Sequence, residues 1–150
     1  MKRGGGLKAL FTRNTVEKAF EIWKDRIEWQ IEESLLYAGN EFVNKARLTG
    51  RYKDQTGNLR SSIGYMVIKD GQILGERFET YDGKGEEGVK KAKEFAEGLA
   101  SENPRGLMLI GVAGMEYAAA VEAKNFDVIT GAGTETEQLL KQLLSKINYT

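Results

Sequence analysis

The sequence predicts an α+β domain in which a long N-terminal helix and two further helices pack on a small, mixed, mostly antiparallel β-sheet. Three observations support this fold class. Apolar residues follow helical spacing from Asn14 to about Leu48, an Asp-Gly turn separates two alternating segments, and a continuous apolar run follows the only proline, Pro104. The predicted order is helix, β-hairpin, helix, strand, strand, helix.

The composition indicates one globular domain and excludes several kinds of catalytic group. The chain has 150 residues, 41% of them hydrophobic, and a net charge of zero. It contains no cysteine and no histidine, which excludes thiolate nucleophiles, disulfides and the usual general base at neutral pH. We therefore expect no enzyme: no catalytic residue, no cofactor and no metal site. The balanced charge also argues against general nucleic-acid binding.

Residues 1–13 are predicted to form a flexible basic arm, and residues 14–150 a single α+β domain. The arm has a glycine triplet and no acidic residue. Its apolar residues Leu7, Leu10 and Phe11 either belong to a frayed terminus or dock on a neighbouring subunit. No segment has the length of a membrane span, and no signal peptide is evident. We expect the chain to remain in the cytoplasm of the cell that makes it.

The first helix is predicted to begin at Asn14, with Glu17 completing a capping box. One apolar face is expected to point inward, and it consists of Val16, Phe20, Trp23, Ile27, Ile31, Leu35, Ala38 and Phe42. A second line with seven-residue spacing lies on roughly the opposite side, and it consists of Ile22, Trp29, Leu36 and Val43. This second line packs against the chain's own domain, with the C-terminal helix on one side, or against another subunit, or is exposed without a role.

The later elements follow from local patterns. The predicted strands are Ile63–Lys69, Gln72–Phe78, Leu107–Val112 and Phe126–Ile129, and the predicted helices are Glu86–Ala100 and a segment from Thr134 to the C-terminus. The segment from Met115 to Glu122 fits a short helix or a strand.

A glycine-rich loop, residues 83–88, matches G-x-G-x-x-G before a predicted helix. Glu86 and Glu87 stand where a phosphate would approach, and they would repel it, whereas both suit the positive end of the following helix. An ordinary loop entering a helix is therefore favoured. A small nucleotide-binding enzyme that uses Lys84 is the remote alternative.

Two short motifs remain, at residues 56–63 and 114–122. We interpret their residues as structural: Thr56, Gly57, Leu59, Arg60, Ser62, Tyr117, Ala118, Val121 and Glu122. Leu59 is expected to point to the core, and Arg60 to hold a carboxylate, with that of Glu122 as the candidate partner. The helix-like spacing of Tyr117 and Val121 would let both pack under the sheet.

The pairing of T-G-x-L-R-x-S-I with a later Y-A-x-x-V-E resembles the HK97-type head–tail joining or tail-completion (neck) proteins of tailed bacteriophages. The resemblance covers about residues 15–130. The family pattern has a glycine soon after the final glutamate, whereas this chain has Ala123-Lys124-Asn125.

The resemblance implies a structural virion protein that forms a six-fold ring in the neck, made in the host cytoplasm. Its partners would be copies of itself, the portal-side connector or adaptor, and tail proteins. Genome DNA would pass through the lumen without sequence-specific binding, and no membrane would be involved. The alternative within the same setting is a tail terminator, adaptor or other minor morphogenesis protein.

Overall fold

A computed structural model describes residues 12–49, 57–113, 118–122, 128–131 and 134–145. In chain order, its elements are α1 (Arg13–Thr49), α2 (Asn58–Ser61), β1 (Gly64–Lys69), β2 (Gln72–Arg77), α3 (Glu86–Glu102), β3 (Leu107–Val112), β4 (Ala118–Glu122), β5 (Val128–Gly131) and α4 (Thr134–Ser145). The α+β fold class is confirmed.

The five strands form one sheet in the order β2-β1-β3-β4-β5, and every neighbouring pair is antiparallel. β2 and β3 both pair with β1 and therefore run parallel to each other. Helix α3 connects them and has to cross β1 to do so. β2 and β5 are the edge strands.

Both faces of the sheet are covered, which explains why β1 and β3 are apolar at nearly every position. Tyr65 and Val67 of β1 point to the core beneath α1 and α4. Met66 and Ile68 point to a second core beneath α3. The sheet therefore lies between two helices on one face and a single helix on the other.

Several element boundaries differ from the prediction. The described part of the ambiguous segment, Ala118–Glu122, is a strand paired with β3, so Val121 lies in a strand and not in a helix. β5 is described over Val128–Gly131, and the predicted start of this strand at Phe126 lies outside the described residues. The helical turn α2 was not predicted. Helix α1 begins at Arg13 because the Thr12 hydroxyl, and not Asn14, caps its first turn by accepting a hydrogen bond from the Thr15 amide at 3.1 Å.

Helix α1 is much longer than the sheet that it covers. Its 37 residues extend about 55 Å, whereas a six-residue strand such as β1 spans about 20 Å. Leu35, Ala38 and Phe42 are buried as predicted. Val16, Phe20 and Trp23 are 54%, 60% and 57% exposed. The prediction of an inward face is wrong for these three, because the helix has passed the end of the sheet.

None of the helices in the described ranges is both long and apolar enough to cross a membrane.

Candidate assembly surface

The first part of α1 extends away from the domain, and we call residues 13–26 the projecting segment. All of its residues are exposed. Fourteen helical residues span about 21 Å. An isolated helix of this length is only marginally stable in water. Packing against a second protein surface would therefore stabilise the segment.

The root of the projecting segment is held by an ion-pair cluster at the end of β1. The Lys69 ammonium lies 2.9 Å from a Glu32 carboxylate oxygen and 3.5 Å from one of Glu28. The hydrogen bond that Lys69 donates to Glu32 raises the pKa of Lys69 above its usual value. The side of α1 that faces the sheet is therefore charged at Glu28 and Glu32. The same side is mainly apolar in residues 31–46, which we call the packed half of α1.

The apolar face of the projecting segment continues the inner face of α1. Phe20 and Ala38 lie 18 residues apart, which is five full turns at about 100° per residue, so both point to the same side of the helix. Ala38 is buried in the core, whereas Phe20 is exposed because the helix has passed the end of the sheet.

We call the exposed apolar side chains on this side the exposed face. Its members are Val16, Ala19, Phe20 and Trp23. The rings of Phe20 and Trp23 lie 5.7 Å apart, a favourable aromatic separation. Ile22 and Trp29, which are 62% and 60% exposed, lie more than about 100° from the centre of this face and form a second exposed line. Ala19 was not singled out from the sequence.

The second apolar line is divided by the structure. Ile22 and Trp29 are exposed, as an interface requires. Val43 is fully buried, and Leu36 packs on the same core and lies against Gly75 of β2. The prediction of Leu36 and Val43 as subunit contacts is corrected, because a seven-residue line falls about 20° short of two turns per repeat and rotates into the inner face. Leu7, Leu10 and Phe11 lie outside the described residues.

The first motif forms a junction with the glycine-rich loop. The Ser61 hydroxyl donates a hydrogen bond to the Lys84 carbonyl and accepts one from the Tyr81 amide at 2.7 Å. The Asn58 side chain accepts a hydrogen bond from the Gly88 amide at 3.2 Å. Sequence reasoning missed Ser61, because no local pattern reveals a partner 20 residues away.

Two glycines make this junction possible. A Cβ atom on Gly88 would collide with the Asn58 carbonyl oxygen, and one on Gly85 would collide with that of Gly57. Gly85 also has φ of 90°, which favours glycine. Two loop amides are used within the chain, since that of Lys84 donates to the Tyr81 carbonyl and that of Gly88 to the Asn58 side chain. Gly85 and Gly88 serve close packing.

A buried arginine links the junction to the end of α1. Arg47 is 7% exposed and donates to the Arg60 carbonyl at 3.2 Å and the Glu79 carbonyl at 2.8 Å. The guanidinium groups of Arg47 and Arg60 each lie 5.4 Å from the centre of the Tyr81 ring. Burial, and then the charge of Arg77, lower the pKa of Arg47.

The remaining motif residues have structural positions. Ser62 is buried and donates to the Leu59 carbonyl at 2.6 Å. Val121 is buried in the sheet, and Glu122 pairs with Met108 in the register of β4. Met108 stands opposite Ile68, toward the end of β1 furthest from Arg60. The expected contact between Arg60 and Glu122 is therefore wrong. Thr56 and Tyr117 lie outside the described residues, as does the side chain of Ala118.

Two of the carboxylates near β2 are tied to different cations. Glu76 lies 3.3 Å from Lys93, and Glu79 lies 2.7 Å from Arg77. The bond to Arg77 holds the pKa of Glu79 below its usual value. Within the described part of the chain, no group of three acidic side chains could hold a metal ion.

No family model, curated protein or solved structure matches this chain. The exposed face is therefore the main structural feature on which a function can be argued.

Proposed function

We propose that this chain is a structural subunit of the neck of a tailed bacteriophage, a head–tail joining or tail-completion protein that assembles into a ring. The observation that carries the proposal is the exposed face of the projecting segment. Large apolar side chains in this arrangement are typical of a surface that a partner protein covers.

Two features of the chain support assembly over chemistry. The pattern of buried arginine, serine and glycine contacts at the junction fixes the shape of the subunit, and each of these groups has a partner inside the fold. The exposed face differs, because its partners have to come from another molecule. A ring requires head-to-tail contacts in which one patch meets a different patch, and a projecting helix supplies one of the two.

The near-neutral charge suits the proposed position. A ring in the neck surrounds the genome as it passes, and a strongly basic lumen would hold the phosphates. A net charge of zero favours passage of DNA without tight binding. The virion is the proposed location of the assembled protein.

The mass of the purified chain in solution tests assembly directly. Light scattering should give a multiple of the 16.7 kDa subunit, and electron microscopy of the same sample should show rings. A chain that remains monomeric should assemble when a phage portal–connector complex is added. Failure to bind that complex, together with a monomeric mass alone, would contradict the neck assignment.

A tail terminator or adaptor would also form rings, so the position in the particle separates it from a neck protein. Binding to the connector but not to isolated tails supports the neck. The opposite preference supports the terminator.

A further inference from the structure

We infer that the exposed face of one copy docks along β2, the edge strand of the sheet, in the next copy. This inference rests on the proposed ring and specifies the contact between neighbouring copies. Three independent features of the described residues carry it: the charges beside the exposed face, the chemistry of the β2 edge, and the matching lengths of the two elements.

Most cations of the projecting segment flank the exposed face. At about 100° per residue, Arg13, Lys24 and Arg26 lie within about 90° of its centre, and Lys18 lies at about 150°. The anions Glu17, Glu21 and Asp25 lie at about 110° or more. With four cations and three anions, residues 13–26 carry a net charge of +1. The exposed face is therefore apolar with a basic rim, and it fits a partner surface that is apolar and acidic.

The hairpin end of β2 has this character. Ile73 and Leu74 are 51% and 39% exposed, although both belong to a strand. Asp70 lies in the adjoining turn. Lys69 is shared by two carboxylates, Glu28 and Glu32, and Arg105 adjoins Gly106, whose amide donates to Asp70. Three carboxylates against two cations make the charge around the turn negative overall. Basic and acidic rims would meet around an apolar centre, which favours this contact over one between two basic faces.

The shape of the β2 edge suits a helix better than another strand. The register with β1 shifts between Val67 and Ile68, which leaves Leu74 as an extra residue in a bulge. A bulge interrupts the regular spacing that a pairing strand needs. Covering an edge with a helix is a common protection against strand pairing. Six residues of β2 span about 20 Å, and the projecting segment spans about 21 Å.

The geometry also makes the contact head-to-tail. The exposed face and the β2 edge are different patches of one molecule, and α1 lies over the opposite face of its own β2, where Leu36 contacts Gly75. Because each copy offers one of each patch, the contact can repeat around a ring without a two-fold axis.

Cysteine cross-linking tests this contact in the full-length protein, since the native chain has no cysteine. Phe20→Cys is placed in a copy with one affinity tag and Ile73→Cys in a copy with another. The two are mixed and oxidised, and the products are separated without reductant. A disulfide requires Cα atoms within about 7 Å. We expect a mixed dimer that carries both tags.

The matched control replaces Ile73→Cys with Glu97→Cys on the exposed side of α3, and we expect no mixed dimer from that pair. A product linked through two copies of Phe20→Cys would overturn the inference in favour of paired helices. Rings seen by electron microscopy without the mixed dimer would overturn the β2 contact and leave the proposed ring intact. A monomeric mass at all concentrations, together with the absence of the mixed dimer when the connector complex is present, would overturn self-docking, and binding to the connector would then decide the neck role separately.

Discussion

The two halves of α1 contain similar apolar residues but meet different environments. In the packed half, Leu35 and Phe42 are fully buried, whereas Phe20 and Trp23 in the projecting segment are more than half exposed. The difference is one of position along the helix, because Phe20 lies five turns from buried Ala38 at about 100° per residue and points to the same side. Apolar content and helical spacing alone therefore do not identify a core; the extent of the sheet beneath the helix does.

Phe42→Ala and Phe20→Ala test this contrast most strongly. Phe42 is fully buried in the main core, so its truncation should cost about 3–5 kcal/mol of unfolding free energy. Phe20→Ala should change that free energy by less than about 0.5 kcal/mol. Urea denaturation of both variants under monomeric conditions measures the two values. Equal losses would mean that the projecting segment packs on its own domain.

Gly88→Ala breaks the packed region at the junction between α2 and α3. The new methyl group would collide with the Asn58 carbonyl, and overpacking of this kind costs about 1–3 kcal/mol. Gly98→Ala in the same helix is the matched control. No atom lies within 4 Å of its Cβ position, so alanine should stabilise the helix by up to about 1 kcal/mol. Thermal unfolding of the two variants should show shifts of opposite sign.

Lys69→Ala removes the ion pairs that hold α1 to the end of β1. Exposed ion pairs contribute about 0–1 kcal/mol, so the loss should be small and should diminish in high salt. Because Glu32 raises the pKa of Lys69 above 10.5, this contribution is complete below pH 10.5 and is lost as the pH rises through the folded-state value. Denaturation of the variant and the native chain across this range measures it.

Lys93→Ala, which removes the ion pair with Glu76 inside the packed domain, is the control for Lys69→Ala. Both variants should lose little stability, but only Lys69→Ala should increase amide exchange in the projecting segment. Similar exchange in both would show that the Lys69 cluster does not hold the root of the segment.

Trp23→Glu should have the smallest effect on the subunit and a large effect on assembly. The sequence pattern predicts that this change unfolds the protein, and the structure corrects that expectation because Trp23 is 57% exposed. We expect native stability within about 0.5 kcal/mol and loss of self-association by light scattering. Lys91→Glu, on the exposed side of α3, should leave both unchanged. Unfolding of the Trp23→Glu variant would contradict this prediction and would mean that Trp23 belongs to the core.

Much of the fold follows from local sequence patterns. The run from Leu107 to Val112 and the Asp70-Gly71 turn each specify their element without distant information. The exposure of Trp23 could not be read from its helical spacing, because the spacing of a helix does not reveal where the sheet beneath it ends. The same applies to Arg47, whose burial depends on carbonyl groups that α2 and the end of β2 bring to it.

The candidate surface was partly accessible from the sequence. The seven-residue line identified Ile22 and Trp29 correctly as side chains outside the core. Its continuation to Leu36 and Val43 was wrong, because a line with seven-residue spacing rotates gradually around the helix. The junction was not predictable in this way. Asn58 and Gly88 meet only after the hairpin has folded back, and their contact depends on tertiary structure.

The crossing of α3 over β1 has a consequence for how the subunit opens. β1 is bonded to β2 on one edge and β3 on the other, and both of its faces are buried. Its amides can reach solvent only when two strand pairings and two layers of helices separate together. Hydrogen exchange at Met66 and Val67 therefore reports global unfolding, whereas exchange in the projecting segment reports local fraying of one helix.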